Sequence, residues 1–281
     1  MSKFFTVAFH QVRRRWFYGL ISLTVVLGLL VGAPRPTQAF SLLDLLFRGV
    51  QVIQLSTLSD RQEVALGSQI NDRLVGREFR LARNREINSY VDGIGQRLAR
   101  VSDRPDIPYT FQVVSDNNVN AFATMGGYVY VTTGLMRAAD NEGQLASVMG
   151  HEIGHIASRH AVKQMRQAAL AQGFASAAGL DRSRAVNLGV DLALRRPASR
   201  KDEFEADAQG FETMGRAGYA QSTMVDFMEK LAKQPSPPTF LSTHPNGQAR
   251  ADTLRQRLNP ATANVGDGLN GAAYRARTRN L

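Results

Sequence analysis

Apolar residues recur at helical spacing between Ser59 and Arg100, first as Val64, Leu66, Ile70 and Leu74, then as Ile87, Val91, Ile94 and Leu98. The pattern predicts a helical front section, which DRPDIP (residues 103–108) breaks with its two prolines. The period then shortens to that of a strand. In YTFQVVSD, Tyr109, Phe111 and Val113 fall on one side, and GGYVYVTTG, bounded by Gly126, Gly127 and Gly134, is rich in β-branched and aromatic residues. Two strands are therefore predicted before the next helix. Asp140 can cap that helix, Glu142 suits its positive first turn, and Leu145, Val148, Met149, Ile153 and Ile156 mark its buried stripe. Further helices are predicted through EFEADAQGFETMGRAG, stopping near Gly218, and through STMVDFMEKLAK. After the interruption at PSPP, THPNGQARADTLRQRL resumes helical character. Beyond Asn259 no apolar period remains, so residues 259–281 are expected to be a disordered tail.

Residues 1–39 read as a separate segment. Lys3 and Arg13 to Arg15 precede an apolar run from Trp16 to Ala33, and Thr37 and Ala39 stand where a signal peptidase reads small residues. The expectation is a signal peptide cleaved after Ala39, or else an N-terminal anchor, since about 18 apolar residues just span a bilayer. Either way the body lies outside the cytoplasm, in the periplasm or on the outer face of a bacterial membrane, with peripheral membrane association possible. With no cysteine in the chain, lipoprotein attachment and disulfides are excluded. Five of the 34 basic residues belong to the leader, leaving 34 − 5 = 29 against 24 acidic, a charge near +5. These are interspersed, as in VGREFRLARNREINSY, which suits a solvated helix face and argues against nucleic acid as a partner. At 281 residues and 43% hydrophobic composition, the chain can bury one good core or at most two small ones.

Three of the five histidines lie within GHEIGHIASRH, residues 150–160. On a helix His151 and His155 are one turn apart and project from one face, so both imidazoles can reach a single ion. Glu152, beside the first of them, can reach water next to such an ion without binding it, the arrangement required of the base in HExxH zinc peptidases. If the helix continues, His160 points about 140° away from His155, as a surface residue or one that supports the site from outside. Catalytic zinc takes three protein ligands and leaves one place open. SRKDEFEADAQG offers Glu203, Glu205 and Asp207, of which only Glu203 and Asp207 share a helix face. The longer glutamate suits direct ligation; the aspartate suits a hydrogen bond to a ligand imidazole. The competing reading is a merely charged helix face.

The ordered set NAFATMGGYVYVTTGLM, HEIGH, SRKDEFEAD and STHPNGQAR resembles the zinc metallopeptidase family of HtpX and the CAAX prenyl endoproteases, in its soluble exported bacterial branch, over roughly Leu58 to Leu258. The resemblance implies an α+β fold: a mainly helical zincin-like domain at residues 40–258, with a small β-sheet whose edge strand borders the active-site cleft. It implies one zinc ion held by His151, His155 and Glu203, with Glu152 as base and Asp207 supporting a ligand histidine. His244 and Arg250 match the family's THPxxxxxR pattern. His244 would either occupy a further place on zinc at rest or donate to the tetrahedral intermediate, and Arg250 would orient loops or neutralise developing charge. Asn120, Ala121, Gly126 and Gly127 match the strand that would hold an extended peptide by main-chain hydrogen bonds. Met125 departs from the proline that many relatives carry, which leaves the entry to that strand open in shape. The implied function is endopeptidase cleavage of unfolded or misassembled envelope proteins. The alternatives are a holdase or assembly factor binding such clients with little turnover, and a structural zinc protein. The oligomeric state is not legible.

Overall fold

The computed structural model describes residues 52–53, 55, 57–171, 180–195 and 199–281; the expected leader lies outside them. The expected helical front section is present but divided. Strand β1 (Val52–Ile53) is followed by α1 (Asp60–Arg73), which opens on a capping box: the Ser59 side chain accepts from the Gln62 N–H, and the Gln62 side chain accepts from the Ser59 N–H. A π-helical turn (Leu74–Glu78) ends it, and α2 (Arg85–Ala99) starts anew at Asn84, whose side chain accepts from two backbone N–H groups. Between the helices the chain runs extended against the sheet, where the Ala82 N–H reaches the Val113 carbonyl at 2.8 Å.

The sheet has three strands, β2 (Thr110–Val114), β3 (Ala121–Thr124) and β4 (Tyr128–Thr132), in the order β2-β4-β3; β4 is parallel to β2 and antiparallel to β3. The strand AFAT escapes a reading of the sequence because it is four residues long and half alanine, a weak strand former. GGYVYV is therefore the central strand rather than the edge: Val129 and Val131 enter the core beside α2, while Tyr130 enters a second apolar cluster with α1. Gly126 and Gly127 do not lie on a strand that a peptide could reach. They form the buried β3–β4 turn with φ of 78° and 97°, a conformation glycine adopts without strain, and a Cβ on Gly127 would lie 2.7 Å from the Pro108 carbonyl oxygen.

After α3 (Thr133–Ala138) comes α4 (Glu142–Ala157), which carries the histidine motif. Its cap is Asn141, one residue beyond the expected Asp140, and Asp140 instead pairs with Lys230 at 2.6 Å. Then follow α5 (His160–Ala171), β5 (Leu180–Asp181, paired with β1), α6 (Arg182–Arg195), α7 (Arg200–Arg216), α8 (Ser222–Ala232), α9 (Thr239–Thr243) and α10 (Gly247–Arg257). The fold is α+β and mainly helical. Among the described residues no helix is long and apolar enough to cross a membrane.

The expected disorder after Asn259 is not what the structure has. Helix α11 (Gly271–Thr278) is capped by Asn270, and Tyr274 is buried with its hydroxyl donating to the Met136 carbonyl at 2.7 Å. A single aromatic anchor and backbone bonds such as Gly143 N–H to the Gly268 carbonyl hold the segment down, and neither produces a hydrophobic period.

Candidate metal centre and active site

Helices α4 and α7 meet along small residues. Gly150 and Gly154 on α4 face Ala206 and Gly210 on α7; a Cβ on Gly154 would lie 2.5 Å from the Ala206 carbonyl oxygen, and one on Gly210 would lie 2.8 Å from the His151 nitrogen. Only without those methyl groups do the two backbones come close enough for Glu203, in the first turn of α7, to reach the histidines.

There the side chains converge. His151 Nε2 and His155 Nε2 are 3.0 Å apart, and the Glu203 carboxylate lies 3.5 Å from the first and 3.4 Å from the second. His244, at the end of α9, brings Nδ1 to 3.1 Å from Glu203 Oε1 and 3.3 Å from His151 Nε2. One atom from each of the four residues fits within a 4.8 Å set, and all four residues are buried. Asp207 Oδ1 lies 2.9 Å from His151 Nδ1; a carboxylate accepts, so Nδ1 carries the hydrogen and Nε2 turns a lone pair into the cluster. Ring nitrogens and a carboxylate converging at these spacings can hold a cation between them, and two or three imidazoles with one glutamate form a set that suits zinc.

Arg250, completely buried, brackets the acids. Its Nε and Nη2 donate to the two Asp207 oxygens at 2.7 Å each, and Nη1 lies 2.6 Å from Glu203 Oε2 and donates to the His244 carbonyl at 3.1 Å. Burial opposes ionisation of Asp207 and Glu203. Arg250 outweighs it for Asp207, and His244 with His155 and His151 outweighs it for Glu203, so both stay below the usual carboxylate range. Burial, reinforced by Arg250, lowers the His151 imidazole to about 3. Phe240 stacks on the His244 ring with centroids 4.6 Å apart.

Glu152 stands apart from these. It is buried, neither carboxylate oxygen has a hydrogen-bond partner, and His244 Nε2 is 3.5 Å from Oε1. Burial pushes its carboxyl up to about 7, where a group can both take and give a proton near neutral pH. The cleft beside it is lined by Phe122, Ala123 and Thr124 of the edge strand β3. Asn120 and Ala121 sit deeper: the Asn120 backbone is bonded to Thr132 within the sheet, and Ala121 is fully buried.

His160 is not turned away from the site, because the helix does not continue to it. The chain breaks at Ser158, and Arg159 takes φ of 55°, unusual for a residue with a side chain. Arg159 is held by Glu63 (Nε to Oε2, 3.0 Å) and the Leu58 carbonyl, while Arg104 ties Glu63 to the Ile156 carbonyl. The reversal buries His160 with Nδ1 2.8 Å from His155 Nδ1. Burial, and after it the neighbouring His155, lowers the His160 imidazole to about 4. Glu63, Arg104 and Arg159 give no sequence signal, since the turn they clamp contains neither glycine nor proline.

The model of the family described as peptidase family M48 matches residues 85–258. A putative beta-barrel assembly-enhancing protease of Vibrio cholerae is 33% identical over 220 residues, 72% of this chain and 45% of its own length. The beta-barrel assembly-enhancing protease of Escherichia coli is 32% identical over 221 residues, 73% of this chain and 45% of its own. The chain thus spans less than half the length of these two curated relatives. Metalloprotease LoiP of Escherichia coli is 30% identical over 225 residues, 76% of this chain and 87% of that protein.

Proposed function

The chain belongs to peptidase family M48, and from that premise we propose that it is a zinc-dependent endopeptidase acting outside the cytoplasm, in the periplasm, on unfolded or misassembled envelope polypeptides. The observation that carries this reading is the closed set of ligand atoms from His151, His155, Glu203 and His244, with the unpartnered carboxylate of Glu152 beside it. His151, His155 and Glu203 would hold the ion, and a zinc ion bound there supplies a Lewis acid that brings water near to deprotonation at neutral pH and polarises a peptide carbonyl. Glu152 takes the proton of the attacking water and passes it to the leaving amine. Asp207 keeps the His151 Nδ1–H engaged, Arg250 keeps Asp207 ionised, and the surrounding histidines keep Glu203 so. The free edge of β3 at Phe122–Thr124 pairs with the backbone of an extended substrate, which binds without strict sequence preference. The proposed substrate class rests on the expected leader and on the likeness to two beta-barrel assembly-enhancing proteases.

Of its two expected roles, we assign His244 the first. Its Nδ1 lies among the ligand atoms and its Nε2 toward Glu152, so with zinc bound it would be the residue to take the place left open at rest, and it would crowd the base. Accordingly His244→Ala is expected to raise basal cleavage of an unfolded protein several-fold, on the order of 1 kcal/mol of barrier; a slower variant in steady-state kinetics would return His244 to the role of stabilising the tetrahedral intermediate.

The test of the function itself is cleavage of casein by the purified full chain, abolished by a zinc chelator and restored by added zinc. Client binding that protects casein from aggregation without cutting it, before and after zinc, would favour a holdase.

A further inference from the structure

The mechanism above leaves His160 without a role. We propose that His160 is a positioning residue: its Nδ1 accepts the Nδ1–H of His155 and so keeps the His155 Nε2 lone pair turned into the ligand cluster. This rests on the proposed metal site and adds to it the group that sets the tautomer of its second histidine.

The two Nδ1 atoms are 2.8 Å apart, so one donates and the other accepts. The outer nitrogen decides which. His160 Nε2 is buried and, without a hydrogen bond of good geometry, faces the negative charge of Asp202 Oδ1 and Glu205 Oε2 at 3.4 Å each, two groups that only accept. Nε2 therefore carries the hydrogen, and the Nδ1 of the neutral ring is the acceptor. His155 must then be the donor at Nδ1, which leaves its Nε2 bare, 3.0 Å from His151 Nε2 and 3.4 Å from Glu203 Oε1. Were the order reversed, His155 would carry its hydrogen on Nε2 and could hold no ion. Asp207 does the same for His151 with one carboxylate. For His155 the carboxylates act through an intervening imidazole, and all the acids involved come from the first two turns of α7. Lys163 Nζ, 3.7 Å from Glu205, is the cation that faces this acid pair from α5.

The same atoms allow one competing reading, a second cation held by His160, Asp202 and Glu205. It would need the His160 Nε2 lone pair, which reverses the proton order and disarms His155. The two are mutually exclusive, so zinc binding tells them apart.

Zinc affinity and stoichiometry of the full chain, measured by competition with a chromogenic chelator, need no catalytic turnover. In His160→Leu, which removes the acceptor at similar volume, affinity is expected to fall roughly tenfold to a hundredfold. His160→Asn, whose carbonyl oxygen reaches the Nδ1 position, is expected to stay within about threefold of wild type. Should the leucine variant not unfold cooperatively without zinc, the double variant Asp202→Ala/Glu205→Ala removes both acceptors from partly exposed positions and should still weaken zinc binding. An asparagine variant as weak as leucine, a leucine or double variant as tight as wild type, or two ions in wild type and one in His160→Leu would overturn the assignment. A wild-type chain that binds no zinc removes this inference and the proposed metal site together.

Discussion

Glu152→Gln is expected to keep one zinc per chain and to lose at least about a hundredfold of its peptide hydrolysis rate. The two halves follow from separate observations. Glu152 contributes no atom to the set formed by His151, His155, Glu203 and His244, so an amide there leaves the ligands in place. In a fully buried position its oxygens make no hydrogen bond to another side chain, and the ion-pair contact with His244 Nε2 is long, 3.5 Å, so the fold depends little on this carboxylate. Replacing it with a neutral isostere removes a desolvated acid, and the thermal midpoint should hold or rise. What disappears is the buried carboxyl beside the cluster that can accept a proton from water and return it. Metal analysis beside casein hydrolysis measures both halves; zinc retained with activity retained would take Glu152 out of the mechanism.

Replacing Glu203 has the opposite signature. Glu203→Gln is expected to empty the site and to destabilise the fold, because Arg250 Nη1, completely buried, loses its 2.6 Å ionic partner. Breaking such a pair costs about 3–5 kcal/mol where no water can substitute. Glu205→Gln, two residues along the same helix, should leave zinc content almost unchanged. Glu205 is turned toward His160 and Lys163, with its side chain 37% exposed, and Asp202 remains to accept from His160. Zinc per chain and thermal unfolding of the two variants decide the matter. Loss of zinc from Glu205→Gln alone would move the third ligand.

The legible parts of this fold are those that repeat within a few residues. The one-turn spacing of His151 and His155, and of Glu203 and Asp207, placed each pair on one helix face, and the structure has both pairs on α4 and α7. What joins the two helices was harder to see: Gly150, Gly154, Ala206 and Gly210 are small residues whose absent side chains make the contact, and an absence carries no period. His160 is misplaced by the sequence pattern because extending a helix past Ser158 is the default, and the distant Glu63, Arg104 and Leu58 carbonyl secure the reversal at Arg159. The edge of the sheet was misplaced for a similar reason. GGYVYV has the stronger strand composition and takes the centre, buried on both faces, while the weaker AFAT is left to border the cleft. Strand order is a property of long-range pairing, not of local propensity.

The most direct measurement is anomalous scattering at the zinc absorption edge from crystals of the purified, zinc-loaded protein. One peak per chain is expected, within about 2.0–2.2 Å of His151 Nε2, His155 Nε2 and a Glu203 oxygen, with Glu152 outside that distance. A peak bound by His160, Asp202 and Glu205 instead, or none near His151 and His155 in zinc-loaded crystals, would contradict the assignment of the site.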